Sequence, residues 1–298
     1  MTVSLTLIKR NVKLFFKDKG MFFTALITPI ILLILYATFL GNVYKDSFLS
    51  GLPAGFALKD SIIDGLVGGQ LVSSILAVSC VTVAFCSNFL MVQDRANGTI
   101  KDLKISPIKS HVLSVCYYVA TLISTLIICY AALFVCLGYL AIVGWYISFT
   151  DVLLLMLDVL LLSLFGTAIS SVINFFLSTQ GQISAVGSII SAGYGFICGA
   201  YMPISSFGEG MQTVVSFLPG TYGTALFRTH ATRGVFAAME KDGMPGAVVK
   251  EMQDLIDCNV YFFDNRVGEP LMYGILASAV CVLLCAYILM NKFKRGVK

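Results

Sequence analysis

The chain of 298 residues is 58% hydrophobic and 12% charged, with a mean hydropathy of +0.89 and a net charge of +4. Soluble domains carry about 25% charged residues, so the composition excludes a soluble enzyme, a disordered tail and a nucleic-acid binder. Charge-free runs reach 50 residues and about 20 apolar residues cross a hydrocarbon core, which predicts an all-α polytopic membrane protein.

Residues 4–20 place Leu5, Ile8, Val12 and Phe15 at helical spacing, with Lys9, Arg10, Lys13 and Lys17 on the other side. Such a helix either lies in the interface against anionic headgroups or serves as a positive flank that fixes topology. Six spans follow, near 21–40, 66–92, 112–140, 151–173, 183–202 and 271–290. Pro29 is a predicted kink in the first, and Trp145 and Tyr146 fit the headgroup layer after the third. No cleavable signal peptide is expected, because the first apolar run follows a polar segment and lacks a small-residue cleavage site.

Orientation comes from the cations. Thirteen of the twenty Lys and Arg lie in the N-terminal segment, the 93–111 loop and the tail, against two in the 41–65 loop. The positive-inside rule then predicts both termini and the 93–111 loop in the cytoplasm. The long 203–269 segment, with eight acids, reads as external, and its 236–268 part as a small cap.

The cytoplasmic loop QDRANGTIKDLKISPIKS (93–110) ends the second span with Asp94 and Arg95 and turns at Gly98-Thr99. It continues as a short amphipathic piece through Ile100, Leu103 and Ile105 until Pro107 stops it. It is either a rigid element that another protein pushes or an ordinary solvated connector. Residues 203–218, broken by Pro203, Gly208 and Gly210, are too short to cross and suit a re-entrant hairpin packed in protein. In the fifth span Gly187, Ser191, Gly195 and Gly199 recur every four residues, a face that serves packing within the subunit, a dimer interface or a translocation path.

With these residues in view, the chain resembles the type-2 ATP-binding cassette (ABC) exporter permeases. Asp94, Arg95, Gly98, Thr99, Leu103 and Pro107 fit that family's loop after the second span. Asn97 and Lys101 stand where the family often carries Glu. Gly199, Pro203, Leu218, Pro219, Thr221, Tyr222 and Arg228 fit its segment between the fifth and sixth spans. The resemblance covers essentially the whole chain. It implies a single permease domain over 1–298 without a nucleotide-binding domain, an interfacial N-terminal helix, and a re-entrant hairpin bearing Pro203, Leu218, Pro219 and Tyr222. The 93–108 loop would meet the ATPase. Two separate ATPase subunits would bind the ATP and Mg, no cofactor would bind this chain, and a second copy or sister permease would complete the path. The setting implied is the cell membrane, and the cargo a lipophilic drug, peptide or lipid-linked molecule moved outward.

Other features are weighed against this frame. Asp158, seven residues after Asp151 in the fourth span, is either a functional intramembrane carboxylate or a side chain reaching the outer headgroups. LVGGQ (66–70) resembles a nucleotide-binding signature, but without a Gly-Lys pair it reads as small-residue packing. The Asn97-Gly98-Thr99 sequon is predicted cytoplasmic and unmodified, and Ser106 to Lys109 matches the S-x-x-K spacing without companions. His111 and His230 fall on opposite faces, each interfacial or solvated. The nine cysteines make no disulfide framework, Cys129/Cys136 and Cys281/Cys285 read as apolar packers, and only Cys258 lies in a polar stretch. Residues 219–235 look amphipathic. A secondary transporter is the main rival, yet the sequence shows no repeat. An intramembrane enzyme is opposed by the lack of a visible His/Asp/Glu or Ser/His set in the spans.

Overall fold

The computed structural model describes residues 2–50, 58–105, 110–263 and 265–293. Helix α1 (Thr2–Lys17) opens the chain, and Asp18 then caps α2 (Lys19–Leu35) by accepting from the Met21 amide at 3.1 Å. The α2 helix runs through Pro29 and widens into a π turn at Tyr36–Leu40 before α3 (Gly41–Ser50). The π turn begins about two turns beyond the proline. Then come α4 (Asp60–Ala96), α5 (Thr99–Ile105), α6 (Ser110–Val143), α7 (Phe149–Phe176) and α8 (Gln180–Ile197). After a 3-10 turn at Ile204–Ser206, α9 (Glu209–Ser216), α10 (Pro219–Lys241) and α11 (Gly246–Leu255) lead to a two-stranded antiparallel ribbon. This ribbon, β1 (Val260–Phe262) against β2 (Asn265–Val267), pairs Val260 with Val267 and was not anticipated in an all-α chain. Helix α12 (Glu269–Phe293) closes the described chain.

Among the described residues, five helical stretches are long and apolar enough to cross a membrane: Lys19–Asp46, Asp60–Ala96, His111–Val143, Phe149–Phe176 and Glu269–Lys292. Their sheer apolarity defines a multi-pass membrane protein. Burial within the bundle sorts them. On α2, Met21, Ala25, Thr28, Leu32 and Tyr36 face inward, while Phe23, Ile27, Ile31 and Ile34 point out, as lipid-facing side chains do. By contrast α4 is buried almost end to end, with α2, α6, α7, α8 and α10 around it. Its small residues permit this: a Cβ on Gly69 would lie 2.9 Å from the Ala231 carbonyl of α10. LVGGQ is thus a helix-packing seam.

The two ends of the bundle differ. α1, α5 and the close of α12 gather at the Ala96 end of α4, here called the proximal face; Ser114 near the start of α6 donates to Asn291 at 2.7 Å there. The Asp60 end, the distal face, carries α11 and the ribbon, with Lys59 bonded to Asp242 at 2.9 Å.

The fifth predicted span is built differently from expectation. α8 starts on the proximal side, where Gly187 packs on Phe89, and stops with Cys198 and Ala200 against Val78, midway along α4. There α10 takes over: Gly220 lies against Tyr194 of α8, and Gly65 of α4 against Val235 nearer the distal face. Residues 203–218 between them form the 3-10 turn and α9, which exposes Met211, Val214 and Phe217 and buries Val215. Contrary to the amphipathic reading of 219–235, α10 is buried on nearly every side, because α4, α7 and α12 enclose it. Cys258, in its polar stretch, is buried, and Cys129 and Cys136 are buried as packers, whereas Cys281 and Cys285 are exposed on α12.

Candidate functional site

At the proximal face, α1 buries Leu7, Asn11 and Phe15 at four-residue spacing. Only Phe15 belongs to the predicted apolar stripe; Ile8 and Val12 are half-buried beside it and Leu5 is exposed. Lys9, Lys13 and Lys17 are exposed, but Arg10 turns inward. Its guanidinium donates to both oxygens of Asp94, at 2.9 and 3.3 Å, and the Tyr117 hydroxyl donates to the same carboxylate at 2.5 Å. The bond to Asp94 raises the Arg10 pKa above its ordinary value. Three helices, α1, α4 and α6, are tied at one carboxylate.

Arg95, the next residue, donates to the carbonyls of Asn174, Phe175 and Leu177, the last a short contact. A cation is thereby placed on the C-terminus of α7, where unsatisfied carbonyls and the helix dipole favour it. Two residues predicted to meet an ATPase thus hold their own bundle together, and they fix the end of α4 from which α5 hangs.

Gly98 makes that junction. It sits at φ +81, a left-handed conformation, with nothing within 4 Å of an added Cβ. The requirement is one of backbone angle, not of space. Thr99 opens α5, Ile100 and Leu103 lean on the core, and Lys101, Asp102 and Ile105 face outward, Ile105 being 84% exposed. Pro107 lies outside the described residues.

The small-residue face of α8 is used partly inside the chain. Gly195 admits the Tyr201 ring, which would lie 2.3 Å from an added Cβ, and the Tyr201 hydroxyl donates to the Ser191 carbonyl at 3.4 Å. Gly199, at φ +73, ends the run and gives its carbonyl to Arg228. The proximal half stays open: Gly187 and Ser191 join Thr24 of α2, Gln93 of α4 and Ser184 and Ser188 of α8 around a cavity of about 520 Å³. Hydroxyls, amides and apolar walls meet in this space between loosely covered helices.

Pro203, Leu218, Pro219 and Tyr222 surround the Gly199 junction. Pro203 precedes the 3-10 turn, Leu218 and Pro219 start α10, and the Tyr222 hydroxyl donates to the Ser216 carbonyl at 2.6 Å, holding α9 to α10. Buried Arg228 fastens the region, donating to Asp257 at 3.1 Å while Asp257 accepts from the Ile204 amide at 2.6 Å. Burial pushes the Asp257 carboxyl above the usual carboxylate range, opposed by the Arg228 charge.

A second ionic cluster corrects the reading of His230, while His111 is exposed as expected. His230 is fully buried, not solvated, and its Nδ1 is 2.6 Å from Asp158 Oδ2. The Tyr273 hydroxyl donates to Asp158 Oδ1 at 2.7 Å. Asp158 does not reach outward, because α10 and α12 cover it. Arg233 reaches Asp151 at 3.2 Å and both oxygens of Glu269 at 2.9 Å. A paired His and Asp does exist among the buried helices, joining α7, α10 and α12.

A membrane bundle with a tied helical tip at one face, a broken helix pair and a mixed cavity beside it defines a polytopic transport-type membrane domain. The family model described as ABC-2 type transporter matches residues 2–230, and the chain belongs to that family. No curated protein matches the sequence. In this family the membrane domain is the transport subunit and pairs with ABC ATPase subunits, so the chain is an ABC permease subunit.

Proposed function

We propose that the chain is the permease of an ATP-driven exporter in the cell membrane, with its proximal face, and hence both termini, cytoplasmic. Two ATPase subunits would dock at this face and bind the ATP and Mg. A second copy or a sister permease would complete the path along α2 and α8. The observation that carries the reading is α5: a short helix backed by Ile100 and Leu103, with Lys101, Asp102 and Ile105 outward, hung from the most buried helix of the bundle. A push on α5 reaches the Arg10–Asp94–Tyr117 tie and the Arg95 clamp, so α1 and the ends of α4, α6 and α7 move as one body.

In this reading α8 and α10 are the halves of a broken fifth crossing out of six, and 199–218 is the re-entrant segment between them. Arg228, Asp257 and Tyr222 fasten its two ends, while Met211, Val214 and Phe217 of α9 are exposed. The cavity of about 520 Å³ is within the size range of drug-like sites. Its mixed walls suit an amphiphile such as a lipophilic drug, peptide or lipid-linked molecule, moved outward as the α2 and α8 faces part.

The test is coupling in proteoliposomes containing permease and ATPase. Leu103→Ala and Gly98→Val are expected to keep ATP hydrolysis while transport falls at least roughly tenfold, since a branched residue in the left-handed region costs about 1–2 kcal/mol. Gly98→Asn, which tolerates that region, is expected to retain transport. Full transport by Leu103→Ala and Gly98→Val would sink the reading.

A further inference from the structure

We propose that His230, with Asp158 and Glu269, forms a proton-binding site fed from the distal face, and that its occupancy sets how firmly α12 is held to α10. A neutral imidazole has one N–H. Because Nδ1 faces the Asp158 carboxylate at 2.6 Å, the network assigns that hydrogen to Nδ1. Nε2 is then a bare lone pair, buried and without a hydrogen-bond partner. Glu269 Oε2 lies 3.5 Å from it, so two acceptors face each other across a gap wider than a charge-assisted hydrogen bond. One added proton converts this opposition into a bond: Nε2 gains the proton, the ring becomes imidazolium, and its two N–H groups donate to Asp158 and Glu269.

The donor is accessible. Glu269 is 42% exposed and Arg233 39%, and both line a cavity of about 260 Å³ with Glu240, Asn259 and Arg266 at the distal face. A proton from water there reaches a Glu269 oxygen and passes to Nε2, restoring the carboxylate. Charged and titratable groups reach His230 from several elements. α7 brings Asp158 and, through Arg233, Asp151; α12 brings Glu269 and Tyr273; α10 itself brings Arg233. Cys258, ahead of β1, is bonded by Thr229 and Thr232, and burial pushes its thiol up to about 11. On α4, Gly69 lies against Ala231 and Thr232 and brings no charge. Three carboxylates therefore surround one guanidinium and the imidazole, and Glu269, the first residue of α12, is shared between Arg233 and His230. Proton uptake would redistribute that carboxylate and draw the start of α12 inward.

The chain has only two histidines, which makes the site directly readable. In full-length permease carrying His111→Gln, held in nanodiscs, ring-15N histidine reports His230 alone from about pH 5 to about pH 9. The expected result is an Nε2 signal that changes from bare to protonated while Nδ1 stays protonated. Glu269→Gln should lower the midpoint by about one pH unit, a tenfold loss of proton affinity. A signal that never titrates, or a midpoint indifferent to Glu269→Gln, overturns the site. This measurement needs no ATPase, so its failure is separate from failure of the exporter reading. In the complete complex, substrate-dependent ATP hydrolysis should vary with external pH and become flat in His230→Gln. Should that variant not fold, Tyr273→Phe removes one partner of Asp158 and should displace the pH profile. A flat wild-type profile overturns the functional half.

Discussion

Replacing Arg10 by Met keeps most of the side-chain length and removes both bonds to Asp94. The Asp94 side chain is 9% exposed and that of Arg10 30%, so the pair lies between a surface ion pair of about 0–1 kcal/mol and a buried one, whose disruption costs about 3–5 kcal/mol. The Tyr117 bond at 2.5 Å remains, so the carboxylate is not orphaned, and the loss should be about 2 kcal/mol. Because α1 is held otherwise mainly by Leu7 and Phe15, the loss should appear as local release of α1 rather than as global unfolding. Hydrogen exchange of permease in detergent reads this directly: amides of 9–16 should lose protection roughly 30-fold, since about 1.4 kcal/mol is a factor of ten. Lys13→Met, on the exposed side of the same helix, should leave exchange unchanged. Asp94→Leu added to Arg10→Met should give less than the sum of the single effects. Wild-type exchange in Arg10→Met, or an equal loss along α6 and α12, would refute the idea that this carboxylate ties α1 to the bundle.

Three further outcomes follow from the packing. Gly234→Ala puts a Cβ about 1.7 Å from the Tyr146 carbonyl and should lower the unfolding midpoint of the purified protein sharply or abolish its accumulation. Gly138→Ala, with open space around it on α6, should be neutral or stabilise by up to about 1 kcal/mol. Ser188→Phe fills the cavity between α2, α4 and α8 from an exposed position; transport should fall by roughly a factor of ten with the melting temperature unmoved, and unimpaired transport would count against that cavity as the path.

How much of this was legible in the sequence depends on the range of the interaction. The first four spans and α12 were written in apolar runs, and the turn at Gly98 in a Gly-Thr pair followed by amphipathic spacing. Those signals are local. The ties at Arg10–Asp94, Asp158–His230 and Asp158–Tyr273 join residues 84, 72 and 115 positions apart, and no periodicity encodes such a choice of partner. α10 was misread because its Thr, His and Arg side chains look like a polar face, and only burial among three helices turns them into internal bonds. The break between α8 and α10 did leave a trace, the cluster Gly199, Pro203, Gly208, Gly210 and Pro219. Hydropathy continuing to residue 202 masked where the first half stops. The ribbon, three residues to a strand, is too short for alternation to register.

The length of α4 has a mechanical consequence. Its 37 residues make a rod of about 55 Å, against a hydrocarbon core of about 30 Å, so both tips overhang the bilayer or the rod stands oblique. Five neighbouring helices grip it along the way, so it pivots more readily than it bends. A tilt of about 5° about one tip displaces the other sideways by about 5 Å, half the width of a helix with its side chains. A modest shove at the α5 tip thus becomes a lateral shift of the rod against its neighbours, with no chain of intermediate contacts needed to carry it.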